Sequence, residues 1–243
     1  MKIGQIITPW PPRQMSDVYR QIPKEGRVLD IGCIGFKQVE IARSLGLDHL
    51  RHFGVDYCDP EVPLPERFTF KRADLNAEKL PFDDDTFDLV VASHVIEHVS
   101  KPVEFFGDCV RVCRPGGLLY FEAPSERSLW LPGMPFNHHL FHSLSFFDDP
   151  THCSRPWTPQ SLYRLAKYYS CEPICANYLF SWIHRLLAPL TLPITFFTRH
   201  RLFMWCVWQT VGWVSYLVAQ KPARVRGQPP FRYYVPDTQT KQT

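Results

Sequence analysis

From Gly26 onward, short apolar runs alternate with segments whose apolar residues recur every three or four positions. The first run, Val28–Ile31, carries acidic Asp30 and leads into a turn of small residues, Gly32, Cys33 and Gly35. Val39, Ile41, Ala42 and Leu45 follow at helical spacing, which predicts a helix over about Lys37–Leu45. Strands are predicted at Leu50–Asp56 and Phe68–Arg72, separated by a proline-rich loop from Pro60 to Pro65. Phe87–Ala92 is almost wholly apolar, the pattern of a central parallel strand covered on both faces. Helices are predicted at Val95–His98 and Pro102–Cys113, and Arg114-Pro115-Gly116-Gly117 turns the chain into a strand at Leu118–Glu122. Thr158 as N-cap and Pro159 at the first helical position start a helix over about Gln160–Tyr169, followed by a strand at Ile174–Phe180.

Strands alternating with helices argue for an α/β fold, a doubly wound, mostly parallel sheet with helices on both faces. Ligands of such sheets sit outside the carboxyl ends of the strands. Asp30, Asp56, Asp74 and Ser93 all fall there on this reading. At the first turn, glycine lets the backbone approach a ligand closely, and the following helix start offers free N–H groups.

The ends of the chain differ from this pattern. Residues 1–25 are proline-rich and polar, with TPWPPRQ at Thr8–Gln14, and read as an arm lying over the domain with a short helix near Asp17–Gln21. Trp10 and Tyr19 would dock it. The domain proper is placed at 26–222, and residues 223–243 read as a basic, then polar, tail.

Composition narrows the class. A chain of 243 residues, 45% hydrophobic, can bury a full core. Its net charge of +3 gives no reason to expect a nucleic-acid partner. Eight cysteines are scattered without a CxxC pair, the usage of reduced thiols in a cytoplasmic protein. No long apolar run follows Lys2, so no secretory leader is expected.

The runs VLDIGCIGF, GVDY, RADLNAEKLPFDDDTFDLVVASHVIEHV and RVCRPGGLLYFEAPS resemble the class I S-adenosylmethionine-dependent methyltransferases over roughly residues 26–125, with a weaker extension to about 222. The resemblance implies a seven-stranded sheet closed by an antiparallel C-terminal hairpin, with Gly212–Gln220 as its last strand. It implies S-adenosylmethionine as cofactor. Asp30 and Gly32, with Cys33 and Gly35 of the same turn, would flank the methionine end. Asp56, beside Tyr57, would accept both ribose hydroxyls. Asp74, with Leu75, would meet the adenine, and Ser93 and His94 would line the floor near the sulfonium. The family has glycines where Ile34 and Phe36 stand here.

The sulfonium already makes the methyl group electrophilic, so the protein mainly positions the acceptor and excludes water. A hydroxyl acceptor also needs a base. His94 and His98, four apart on one predicted helix face, and His152 are the candidates. Two other readings stand beside these: His98 as a structural histidine bonded to neighbouring backbone, and Glu97 as a solvated or loop-binding carboxylate.

Two later stretches carry further information. Asn137–Pro156 is dense in His138, His139, His142, Asp148, Asp149, His152 and Cys153, yet their spacing fits no zinc signature, so no metal is expected. Its DPTHCSRPWTPQSL part resembles the acceptor lid of some bacterial methyltransferases of surface-glycan and lipid pathways. That assigns a lid to 126–170 and brings His152 and Arg155 near the acceptor. Residues 183–210 then form a hydrophobic insertion before the last strand, interrupted by Pro189 and Pro193. It reads as a membrane-surface element or a homodimer contact rather than a span, with extra core as the plain alternative. The implied reaction is methylation of a hydroxyl on a glycan or lipid-linked sugar, peripheral to the inner face of a membrane. The alternatives are a small-molecule O-, N- or C-methyltransferase and a non-catalytic protein of the same fold acting as a membrane or complex partner.

Overall fold

The computed structural model describes residues 11–134, 143–198 and 202–223. Seven strands form one sheet: β1 (Arg27–Ile31), β2 (Arg51–Asp56), β3 (Phe68–Arg72), β4 (Phe87–Ser93), β5 (Cys113–Pro124), β6 (Glu172–Leu179) and β7 (Val214–Gln220). Their order is β3-β2-β1-β4-β5-β7-β6. The first five are parallel, and β7 runs antiparallel to both β5 and β6. The helices are α1 (Arg13–Tyr19), α2 (Lys37–Ser44), α3 (Pro102–Val112), α4 (Pro159–Tyr168), α5 (Trp182–Phe197) and α6 (Leu202–Val211).

Alternation along the strands fills two cores. Leu29, Ile31, Val90, Ala92, Leu119 and Phe121 face α3 and α4, where Phe105, Phe106, Leu162 and Leu165 pack. Val28, Leu89, Val91, Leu118 and Tyr120 face the other way, onto α1 and α2. Side chains of successive strand residues point to opposite faces, so both faces of a central strand must be apolar.

The structure corrects four expectations. The N-terminal segment is more than an arm: Met15, Val18, Tyr19 and Ile22 are buried in the second core, and the Tyr19 hydroxyl donates to the Gln38 side chain at 3.0 Å. Its helix starts at Arg13, after Pro12, rather than near Asp17. Arg114–Gly117 does not precede the fifth strand but forms an irregularity within it, where the pairing jumps from Phe87–Cys113 to Leu89–Leu118. Gly116 takes φ +77° there, and Lys221 clamps the kink through both its backbone N–H and its carbonyl. The segment predicted as a helix over Val95–His98 is a single 3-10 turn, Ile96–His98.

The insertion between β6 and β7 is two helices, α5 and α6, which cover the expected 183–210 region and reach one residue past it at each end. Helix α5 continues through Pro189 and Pro193. It buries only His184 and exposes Trp182, Leu186, Leu190, Ile194 and Phe197. Among the described residues no helix is long and apolar enough to cross a membrane. His138, His139, His142, Trp10 and the 224–243 stretch of the tail lie outside the described residues.

Candidate active site at the strand ends

A cavity of about 390 Å³ opens above the carboxyl ends of β1, β4 and β5, within the roughly 300–1,000 Å³ range of ligand pockets. Asp30, Gly32 and Ile34 line one end. Ser93, His94, Glu97 and Glu122 lie at its floor, His98, Asp149 and His152 to one side, and Trp205, Trp208 and Trp213 come from α6 and its end.

The β1–α2 turn builds the first end. Gly32 takes φ +74°, and a Cβ there would lie 2.8 Å from a Val95 methyl, so only glycine fits. Phe36 also adopts a left-handed backbone, φ 51°. That conformation strains a residue with a Cβ and explains why glycine suits the position. Here its ring turns away from the cavity and packs edge-on against Phe68, with centroids 4.9 Å apart. The Cys33 side chain is buried in the same cluster, and Gly54 leaves room for its sulfur. Cys33 therefore offers the site only its backbone. Burial, with Asp30 and Asp56 adding to it, pushes its thiol up to about 12. Ile34 is the side chain left at the cavity rim.

Asp30 is only 4% exposed. Burial, and then the negative charge of Asp56, hold its carboxyl well above the ordinary value, with Lys37 acting in the opposite direction. A cationic ligand group would relieve both causes. Asp56 accepts from the Ile34 backbone N–H at 3.4 Å and from that of Cys58 at 3.2 Å, which ties the end of β2 to the first turn. Tyr57 is exposed beside the Arg72 guanidinium. Asp74 caps its own turn by accepting from the Asn76 N–H at 2.9 Å, and Leu75 packs on the first core. The cavity lining reaches Asp30 and Gly32 but not Cys33, Gly35, Asp56, Tyr57, Asp74 or Leu75, which continue along the β1–β3 edge.

His94 and His98 do not share a helix face. His94 has a left-handed backbone, φ 56°, and precedes the 3-10 turn. Its Nδ1 lies 3.3 Å from Glu97 Oε1, and its ring lies 6.0 Å from Trp213 and 6.5 Å from Trp208. Burial pulls the His94 imidazole down, but the Glu97 and Glu122 carboxylates outweigh it and the net direction is up. A 36% share of its side-chain surface still faces the opening. Ser93 donates to Glu122 at 2.8 Å, so its hydroxyl is committed to the floor.

The two later segments meet over this floor. Trp208 Nε1 donates to the Ser143 carbonyl at 3.0 Å, and Trp213 Nε1 to that of Leu144 at 2.6 Å. The backbone N–H groups of Cys153 and Ser154 both donate to the Glu97 carbonyl at 3.0 Å. His98 Nδ1 reaches the Thr151 carbonyl, and His152 Nδ1 the Phe146 carbonyl. His152 therefore lines the cavity. Arg155 does not: it is exposed and lies over the Trp157 ring. Glu97 is 1% exposed, which excludes the solvated reading. It binds the Cys153–Ser154 backbone through its carbonyl, while its carboxylate faces His94. Lys37, Glu122, Trp208 and Trp213 were not singled out from the sequence as site residues.

Residues 29–121 match the family described as a methyltransferase domain. Those residues are a class I S-adenosylmethionine-dependent methyltransferase domain. S-adenosylmethionine is the cofactor that belongs to it. The chain is 27% identical over 159 residues to a ubiquinone biosynthesis O-methyltransferase of Roseobacter denitrificans, covering 61% of this chain and 60% of that protein. It is 39% identical over 105 residues to phthiotriol/phenolphthiotriol dimycocerosates methyltransferase 1 of Mycobacterium ulcerans, covering 39% of this chain and 36% of that one. The matches thus span about a third to three fifths of those relatives' lengths. Among solved structures, a SAM-dependent methyltransferase from Archaeoglobus fulgidus aligns with a TM-score of 0.56 at 19% identity, over 86% of this chain and 93% of that one. The [4+2]-cyclase SpnF aligns with a TM-score of 0.56 at 20% identity, over 87% of this chain and 82% of that one. At such identities the likeness is one of fold, and the cyclase shows the same architecture under another reaction's name.

Proposed function

We propose that this methyltransferase domain moves the sulfonium methyl of S-adenosylmethionine to a hydroxyl of a glycan or lipid-linked sugar, at the inner face of a membrane. The observation that carries the acceptor and its setting is the apolar stripe of α5 beside the cavity. Helix α5 packs on α6, and α6 supplies the tryptophans that wall the cavity. A lipid-anchored acceptor resting on that surface has a short path to the strand ends. Two of the curated relatives carry the names of lipids, ubiquinone and a dimycocerosate, which supports the same class.

In this reading Asp30 takes the cationic methionine end, with the backbone of Gly32, Cys33 and Gly35 close against it. Asp56 accepts from the ribose hydroxyls beside Tyr57, and Asp74 with Leu75 meets the adenine. Ser93 and His94 face the sulfonium. The bound cofactor supplies an electrophilic methyl, and the chain's work is alignment and exclusion of water. Glu97 fixes His94 Nδ1, leaving Nε2 to take the acceptor proton. The pair of rings from Trp208 and Trp213, stacked 4.4 Å apart, gives a sugar or a lipid head an apolar platform.

Flotation with anionic phospholipid vesicles tests the setting. The wild-type chain is expected to float. A variant with Trp182, Leu186 and Leu190 replaced by serine is expected to stay below while still binding S-adenosylmethionine. Those side chains are 72%, 80% and 62% exposed, so the fold does not need them. Each fully buried apolar side chain is worth about 1.5–3 kcal/mol, so losing three lowers vesicle partitioning by well over 100-fold at roughly 1.4 kcal/mol per decade. A wild-type chain that does not float, and sediments as a dimer through α5, contradicts the membrane setting.

A further inference from the structure

We propose that Glu97, His98 and His152 form a binding site for one divalent first-row transition-metal ion in the cavity, placed to take an acceptor oxygen. The inference rests on the methyl-transfer reading above and adds a site to it. One ligand atom from each residue lies within 4.8 Å of the other two. Ligands about 2.0–2.2 Å from a common ion sit roughly 3–4 Å apart, so closing the cluster takes a contraction of around an ångström.

The hydrogen bonds around the two imidazoles prepare them as ligands. His98 Nδ1 lies 3.2 Å from the Thr151 carbonyl and 2.9 Å from its hydroxyl oxygen. That hydroxyl donates to Asp149, so it can only accept from His98. His152 Nδ1 lies 2.7 Å from the Phe146 carbonyl. A carbonyl only accepts, so each Nδ1 carries the proton and each Nε2 keeps its lone pair. Metal-binding histidines are commonly oriented this way, by an outer acceptor that fixes the tautomer.

Glu97 supplies the independent observation. It is 1% exposed, its Oε1 faces His94, and its Oε2 has no hydrogen-bond partner among the described residues. A buried carboxylate oxygen without a donor is costly, and a cation between it and the two Nε2 atoms removes that cost. Three hydrogen bonds lock the two segments together: from the Cys153 and Ser154 N–H groups to the Glu97 carbonyl, and from Ser154 Oγ to that of Ile96. The ligands are thus held together before any ion arrives. Asp149 Oδ2, 3.9 Å from His152 Nε2, adds negative charge nearby.

Two imidazoles and one carboxylate leave coordination positions open, as in catalytic centres. An acceptor hydroxyl entering one of them becomes more acidic. Its proton passes to His94 Nε2. The oxygen lone pair then forms the O–CH3 bond while the C–S bond breaks, and that electron pair returns to sulfur. The metal keeps its oxidation state throughout, so the step needs no further reactant.

Cobalt(II) is the probe. Chelator-treated wild-type protein, titrated with Co2+, is expected to bind one equivalent and to show visible absorption from nitrogen and oxygen ligation. His98→Gln and His152→Gln are each expected to weaken Co2+ binding more than tenfold while keeping the melting temperature and S-adenosylmethionine binding of the wild type. Glu97→Gln serves as the third variant should one of these not fold. The proposal is overturned if the wild type shows no saturable Co2+ binding, or if both histidine variants bind it as the wild type does. Cofactor binding is measured in the same samples. Its loss in the wild type would sink the methyl-transfer reading, whereas intact cofactor binding without metal binding sinks only the metal site.

Discussion

Replacing Asp56 with alanine is expected to weaken S-adenosylmethionine binding roughly 100-fold. The carboxylate stands at the end of β2, where a ribose would present two hydroxyls, and each hydrogen bond to a charged acceptor is worth about 1.5–3 kcal/mol. A loss of about 2.7 kcal/mol, allowing water to replace part of the interaction, corresponds to two decades at roughly 1.4 kcal/mol each. The residue is partly exposed and makes two backbone contacts, to Ile34 and Cys58. Its removal should therefore cost at most about 1 kcal/mol of stability. Calorimetric titration beside a thermal melt separates the two effects. Unchanged affinity would remove Asp56 from the cofactor site.

Asp30→Asn is expected to do two opposite things, both large. It should weaken cofactor binding, because a neutral amide cannot pair with the cationic methionine end. Removing one partner of a desolvated charge pair costs about 2–5 kcal/mol. It should also stabilise the cofactor-free protein at neutral pH. Burial and Asp56 raise the Asp30 pKa above the ordinary 3.8, so the folded state holds a proton that the unfolded state has already released. Stability of the wild type therefore falls as pH rises from about the unfolded value towards the folded one. Asparagine has no proton to lose and escapes that fall. The melting-temperature advantage of Asp30→Asn should be absent near pH 3.5 and grow above it. A difference that stays constant with pH, or a variant that binds cofactor normally, contradicts the role given to Asp30.

The two variants also probe a shared field. The Asp56 charge is the second cause of the raised Asp30 value, after burial. A cofactor with a cationic end and a polar ribose satisfies both. In the proposed reading, binding of that cationic end would offset the cost of burying Asp30.

Much of this was legible in the chain. Val28–Ile31 and Phe87–Ala92 announced central strands because both faces of such strands are covered, and the structure puts alternate residues into the two cores. Asp30 and Gly32 stand where the strand end and its small-residue turn placed them, at the cavity lining. What escaped the sequence depends on contacts between distant segments. Glu97 looks like a surface carboxylate on a predicted helix. It is buried, with the Cys153 and Ser154 backbone docked on its carbonyl. The left-handed backbone at His94, a non-glycine residue, leaves no mark in periodicity. Trp208 and Trp213 read as part of an apolar insertion. Only the folded chain shows their indole N–H groups holding Ser143 and Leu144. Ile34 and Phe36 depart from the glycines expected beside the cofactor. Phe36 is accommodated by packing on Phe68, so only Ile34 intrudes at the rim.

Methyl transfer to a membrane-associated hydroxyl can be followed with labelled S-adenosylmethionine. Wild-type protein and Asp56→Ala would each be incubated with methyl-labelled cofactor and a fractionated lysate. Label is expected in the lipid and lipid-linked glycan fraction, through a methyl ether, with the wild type and far less with the variant at limiting cofactor. Label confined to free small molecules, or none above the variant's level in any fraction, would contradict it.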